Sequence, residues 1–443
     1  MKKFINKLLI LGIAALSLTS CIKETFPEGG TATSEQIAES SSALNASMSG
    51  IPAQLSRGYL VYGEQTTEID MGYPALMITY TELMGDIFPS GSNPAYDWFR
   101  RYNTEDAGLA PTTYNQYVPW RTLYMFVKSA NDIIKSVRTV SEPSALQKGY
   151  LGMAYAYRAW AYYHLWNMYE PVANQYTDCS KVLGLTVPIV TDETAESAGK
   201  NNPRVKADTM YTFIMGDLDN AETGLKDYTP SSKLFPSIAV VYGLKARVYM
   251  TKGEYAKAAE YARKAIDESG CTPLTQDQWE NPTSGFCDAS ANNSWMWYIA
   301  YSAESMGNLC NFTGWMAGEA DWGYNSLTLF AINRWIYDRI PDTDFRKHSF
   351  IDPNKYTYYN YQTSRDKAFI TAQKPYFSIK FRCKAGNWEE YATGGATDVP
   401  LMRVEEMYLI EAEAKGMLNL ADGVSALTTF MTTYRNPQYT CTA

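Results

Sequence analysis

Residues 239–269 read AVVYGLKARVYMTKGEYAKAAEYARKAIDES, and the fold class turns on this stretch. Tyr242, Ala246 and Tyr249 recur at helical spacing before Gly253. Tyr255, Ala258, Ala262 and Ala265 do the same after it. Apolar residues three or four apart line one face of a helix, and that face must find a partner. Alanines on the facing side let two helix axes come close. The stretch therefore predicts two helices folded back on each other.

Those eight positions match a tetratricopeptide repeat, a two-helix unit that stacks with its neighbours. Two consensus positions differ: Gly270 replaces the terminal Pro, and Lys245 stands where a Leu is usual. Working outward, Trp120, Leu123, Val127, Ala130, Ile134 and Val137 predict a helix over about 117–138. Ser144-Ala-Leu-Gln147 is a capping-box pattern that starts the next one, which runs to Pro171. A third covers about 208–226. Arg403–Leu418 with Ala421–Tyr434 reads as another, degraded repeat. Between these lie long irregular segments at 89–115, 172–205 and 271–400. Within the last, Trp295, Trp297, Ile299 and Tyr301 alternate, as do Phe377, Ile379 and Phe381, which predicts short strands. The expected class is mainly α, a tetratricopeptide-like scaffold with a large irregular lobe.

The amino terminus reads as an address. Basic residues Lys2, Lys3 and Lys7 precede an apolar run from Leu8 to Leu18, too short to span a bilayer. Leu18-Thr19-Ser20-Cys21 has the form of a bacterial lipobox, in which the Cys21 thiol accepts a diacylglyceryl group. The acyl chains then hold the mature chain at a membrane. Lys23-Glu24 beside the lipid resembles a surface-export signal. The expected division is a signal peptide over 1–20, a polar tether over 21–40 and an amino-terminal region over 41–230. The helix pair then occupies 231–270 and a carboxy-terminal region 271–443.

Composition narrows the chemistry. The chain has 443 residues, with 39 Lys and Arg against 47 Asp and Glu, and removing residues 1–20 leaves 36 against 47. Such an acidic surface repels phosphate backbones, so nucleic acid is not an expected partner. The two histidines, His164 and His348, exclude a multi-His metal centre and leave little for a Ser-His-Asp triad. His164 lies on an apolar stripe, so it reads as a core histidine. Asp342-Thr343-Asp344 reads as a turn cap rather than a cation site. No phosphate-binding, dinucleotide, zinc-protease, esterase or EF-hand motif is present, and no cofactor or metal is expected. Six cysteines besides Cys21 lack a CxxC pair, which leaves buried thiols or a Cys271–Cys287 disulfide.

Aromatics make up 14% of the chain, and many of them sit in the irregular segments. One group is Tyr96, Asp97, Trp98, Phe99 and Tyr102; a second is Phe312, Trp315, Trp322 and Tyr324; a third is Tyr356, Tyr358, Tyr359 and Tyr361. A ring face suits the C–H face of a pyranose, with polar neighbours for its hydroxyls. The alternative is ordinary packing, or docking to another protein.

Several motifs in order after the lipobox resemble the SusD/RagB outer-membrane lipoproteins of glycan-uptake systems. They are Trp120-Arg-Thr-Leu-Tyr124 with Ala130-Asn131, Ala156-Tyr-Arg158-Ala-Trp160, Val187-Pro188, and Tyr211-Thr-Phe-Ile214 with Asp217-Leu-Asp219. Asp342-Thr-Asp344-Phe-Arg346 and Asp398-Val-Pro-Leu-Met-Arg403 running on to Glu411-Ala-Glu413 complete the set. The resemblance implies a non-catalytic lipoprotein at the outer membrane that binds a glycan and delivers it to a SusC-like TonB-dependent transporter. It points to Trp98, Trp315 and Trp322 as stacking rings. Asn93, Asp97, Arg100 and Tyr324 are the further ligand-contacting candidates. Family members usually continue past the last repeat into a further helical segment, so this chain, which stops with Tyr434–Ala443, reads as truncated. Alternatives are a peptide-capturing relative, a surface glycoside hydrolase built on two carboxylates, and a protein-binding repeat scaffold.

Overall fold

The computed structural model describes residues 33–56, 60–61, 64–65, 73, 87–89, 114–305, 312–323, 330–354 and 364–442. The helices there are α1 (Ser34–Glu39), α2 (Ser41–Leu55), α3 (Tyr114–Arg138), α4 (Ala145–Tyr169), α5 (Ala207–Leu225), α6 (Ile238–Lys252) and α7 (Tyr255–Ser269). They continue with α8 (Gln276–Trp279), α9 (Phe312–Met316), α10 (Arg334–Tyr337), α11 (Ser364–Ala372), α12 (Tyr391–Gly394), α13 (Val404–Leu418) and α14 (Leu420–Tyr434). Three antiparallel strand pairs accompany them: β1 (Leu60–Val61) with β2 (Glu64–Gln65), β3 (Ile87–Pro89) with β5 (Phe330–Ile332), and β4 (Trp295–Ala300) with β6 (Asp398–Arg403). The chain is mainly α.

Long helices pack in succession, α3 on α4, α4 on α5, α5 on α6, α6 on α7, α7 on α13 and α13 on α14. Local sequence explains each boundary. Ser144 and Gln147 form both bonds of the expected capping box at the start of α4. Gly253 ends α6 in the left-handed region at φ 78°, a conformation a side chain resists, and the turn leads directly into α7. Ala258, Ala262 and Ala265 are fully buried. At the α13–α14 crossing a β-carbon on Gly423 would lie 2.3 Å from Gly416 Cα, so two glycines let the backbones touch.

Polar ties between neighbouring helices account for residues quoted above as motifs. Arg158 on α4 donates to both carboxylate oxygens of Asp217 on α5 at 2.8 and 2.7 Å, and to Asn131 Oδ1 on α3 at 2.7 Å. All three side chains are buried. Lys245, the departure from the repeat consensus, donates to Asp219 at 2.7 Å and to Glu222, so its ammonium links α6 to α5. Pro188 and Val190 carbonyls accept from Tyr124, Asn131 and Tyr162, which fixes the irregular segment after α4 onto the scaffold.

The core is continuous. One cluster of buried side chains runs from α2 through α13 and includes residues on both sides of positions 230 and 270.

One strand expectation holds and one changes. β4 forms where the alternation placed it, with Trp295, Trp297, Ile299 and Tyr301 buried, and Met296 is buried as well, where bulges between Trp295 and Tyr298 disturb the alternation. Phe377, Ile379 and Phe381 form no strand; the segment makes single bridges, Ala331 to Phe377 and Phe350 to Ser378. Tyr376 at φ 68° turns the chain just before it, so an extended ladder has no straight entry. Cys271 and Cys287 are both free thiols, not a disulfide. Burial pushes the Cys287 thiol up to about 12.

Candidate functional site

The irregular lobe is built around residues 312–323. Gly323, at φ 87°, lies against Gly314, where a β-carbon would come within 2.6 Å of backbone, so the segment closes on itself. Thr313 and Thr397 hydroxyls meet at 2.6 Å. The buried Glu319 carboxylate accepts from Arg382 Nη2 at 2.7 Å and from the Cys383 N–H at 2.7 Å. Phe377 packs directly on Gly318, where any side chain would overlap its ring. This part of the lobe is a small packed body rather than a loose loop.

That packing relocates two of the expected stacking rings. Trp315 is 1% exposed and belongs to the main core; Trp322 is 9% exposed and packs with Ala317, Ala320 and Cys383. Neither presents an open face, so both are packing residues here. Ring clusters are hydrophobic first, and each of these found a neighbour to cover it. Asn93, Asp97, Trp98, Arg100 and Tyr324 lie outside the described residues, as do Cys21 and the Tyr356–Tyr361 run.

An open ring stands elsewhere. Trp335 on α10 is 62% exposed, with the Arg339 guanidinium 3.7 Å from its ring centroid. Asn333 caps the helix by accepting from the Trp335 N–H, and Arg339 donates to the Trp335 carbonyl at 2.7 Å. Arg334 and Asp338 pair beside it at 3.3 Å. Backbone, cap and cation thus hold one indole in place, with hydrogen-bonding charges around its edge. Such a ring stacks on a pyranose while its neighbours take hydroxyls. Sequence reading passed over Trp335 because it sought ring clusters. Its signal was the opposite, a single Trp among Arg334, Asp338 and Arg339.

A cleft of about 720 Å³ lies between α7, α13 and α14. Tyr408, Phe430 and Tyr434 line it with Arg263, Glu411 and Lys415, and Glu411 accepts from both cations.

Titratable groups elsewhere are structural. His164 contacts Tyr73 at 3.4 Å and packs edge-on to Trp160, and burial with the Arg247 charge pushes it down to about 3. A neutral core imidazole matches the sequence reading. Asp344 caps the turn at Phe345 and pairs with Arg346 at 2.6 Å, while Asp342 pairs with Lys347. Among the described residues no group of three or more His, Cys, Asp or Glu is placed to hold a metal ion.

A SusD-like family model, described as starch-binding and associating with the outer membrane, matches residues 75–250. A SusD-like protein of Formosa agariphila is 24% identical over 306 residues, which is 67% of this chain and 57% of that one. A SusD-like carbohydrate-binding protein from Bacteroides vulgatus shares the fold at TM-score 0.70 and 19% identity, covering 91% of this chain and 77% of its own. Residues 75–250 thus match the SusD-like family, and nine-tenths of the chain shares the fold of SusD-like structures. A surface glycan-binding protein from Bacteroides thetaiotaomicron, solved in complex with laminarihexaose, superposes on this chain at TM-score 0.61 with 14% identity. That match covers 91% of this chain and 84% of the other. The family match spans the scaffold from before α3 through most of α6, and α10 with Trp335 lies outside it.

Proposed function

We propose that this SusD-like chain is a glycan-capture lipoprotein: Cys21 carries the lipid, the irregular lobe binds oligosaccharide, and a TonB-dependent transporter receives it. The match to a family described as starch-binding at the outer membrane carries this reading. The fold shared with a protein solved holding laminarihexaose supports it. Trp335 backed by Arg339 is the proposed stacking surface among the described residues. Asn93, Asp97, Trp98, Arg100 and Tyr324 remain proposed ligand contacts, and Trp315 and Trp322 are assigned to packing. The protein binds without hydrolysing.

Affinity gels containing starch, laminarin or other polysaccharides, run with the purified mature chain, test the reading. Retardation by at least one glucan, with no reducing ends released, is expected. Migration unchanged in every gel, together with measurable peptide binding, would move the protein to the peptide-capturing branch. Release of reducing ends, lost in a single Asp or Glu variant, would make it a hydrolase. Palmitate-analogue labelling that persists in Cys21→Ala would remove the lipid anchor from the reading.

A further inference from the structure

We propose that Lys233 and Cys271 form a covalent cross-link when the protein meets peroxide. Lys233 Nζ lies 3.4 Å from Cys271 Sγ. Among the described residues Lys233 makes no ion pair, so the thiol is the polar partner of its ammonium. A cleft of about 260 Å³ covers the pair, lined also by Tyr228, Phe235, Glu268 and Met296. Peroxide is little larger than water and fits a space of that size.

Both groups are held in register by rigid backbone. The Lys233 carbonyl accepts from the Tyr298 N–H at 3.2 Å, and the adjacent Leu234 carbonyl accepts from Tyr157 and Trp297 side chains, each at 3.0 Å. Cys271 is 6% exposed and directly follows Gly270, the left-handed residue that ends α7. Its N–H donates to Ser269 Oγ at 3.1 Å. Neither position needs backbone movement for the flexible lysine stem to bring nitrogen onto sulfur.

The chemistry balances with peroxide as the one oxidant. The reactive form of cysteine is the thiolate. Its sulfur attacks one peroxide oxygen and the O–O bond breaks, leaving a sulfenic acid and hydroxide. Sulfur loses two electrons and peroxide gains them. The hydroxide takes a proton from the Lys233 ammonium, giving water and a neutral amine. The amine attacks sulfur, the S–O bond breaks, and the leaving hydroxide takes the remaining excess proton as a second water. The product is a sulfenamide, Lys233 Nζ bonded to Cys271 Sγ, two hydrogens lighter than the reduced pair. It ties the α5–α6 loop to the segment that leads into β4, closing a loop around the α6–α7 hairpin. Thiol reductant reverses it.

The test uses the wild-type mature chain, so no variant has to fold for it to decide. Reduced protein is treated with hydrogen peroxide, digested without reductant, and sequenced by tandem mass spectrometry. The expected result is a Lys233 peptide joined to a Cys271 peptide at the mass of a sulfenamide, absent after reductant and absent in Lys233→Met and Cys271→Ser. Its formation should also raise Tm reversibly. Three results overturn the proposal: Cys271 remaining a free thiol, Cys271 carried to sulfinic acid with Lys233 unmodified, or Cys271 in a disulfide with another cysteine.

Discussion

Lys380 sits where three arginines converge. Its ammonium lies 4.6 Å from the Phe286 ring centroid and 5.2 Å from that of Trp279, and burial with Arg403, Arg346 and Arg435 nearby pushes it down to about 7, against the pull of Glu405. A lysine below its ordinary value binds fewer protons folded than unfolded between about pH 7 and 10.5, so its contribution to stability rises with pH across that window. Below pH 7 the burden is complete, on the order of a few kcal/mol. Lys380→Met should therefore raise Tm most near pH 6 and least near pH 10, which scanning calorimetry at both ends would show; an equal gain at both would refute the assignment. The buried Arg158 tie makes the opposite case. Arg158→Ala leaves the buried Asp217 carboxylate without its cation, near the Asp192 carboxylate that Arg158 also pairs at 3.3 Å, and should cost about 3–5 kcal/mol. Arg158→Met with Asp217→Leu should recover most of that loss in urea unfolding, because Asp217 is gone and Asp192 keeps its pair with Arg138 at 2.8 Å. In the sequence, Asn131, Arg158 and Asp217 were separate pieces of a resemblance. Nothing in their spacing said that three helices bring them onto one guanidinium.

Helices obey a local rule, and the elements show how far that rule reaches. Capping box, apolar stripe and terminal glycine are all written within one turn of the residues they affect, which is why α4, α5, α6 and α7 fall within a few residues of their expected ranges. Strands depend on partners far along the chain. The β4 bulges answer to β6, about a hundred residues away, and the failed strand at Phe377–Phe381 answers to a left-handed Tyr376 that no alternation pattern reveals. The Lys245 departure is explained only by α5, which supplies Asp219 and Glu222. A substitution on α7 tests the repeat reading as an element. Ala262 is fully buried, on a helix that lies against both α6 and α13. Ala262→Phe should strain that contact by about 1–3 kcal/mol and lower Tm of the whole domain. An unchanged melting curve would mean that the helix face tolerates a ring, and the repeat alignment would lose its central position.

Across the whole molecule, the scaffold is the legible part and the binding surface the illegible one, for a physical reason. Ring density in the sequence marks hydrophobic area, and hydrophobic area is taken up by packing wherever neighbours exist. Trp315 and Trp322 went that way, into the core and into a satellite cluster. Trp335 has charged neighbours instead and stays open. The two fates give opposite signatures in one experiment. Trp315→Ala empties a large buried volume and should cost about 3–5 kcal/mol of stability, with binding lost only as the lobe loosens. Trp335→Ala removes a ring already in water, so its melting curve should match wild type. If that ring stacks on sugar, its loss should weaken affinity by about 2 kcal/mol, roughly 30-fold. Arg339→Met, which takes away the cation behind the ring and keeps the stem, should weaken binding less. Titration calorimetry with whichever glucan retards the wild type, paired with a melting curve for each variant, separates these cases. Wild-type affinity in a stably folded Trp335→Ala would exclude α10 from the site and return the search to Trp98 and the Tyr356–Tyr361 run.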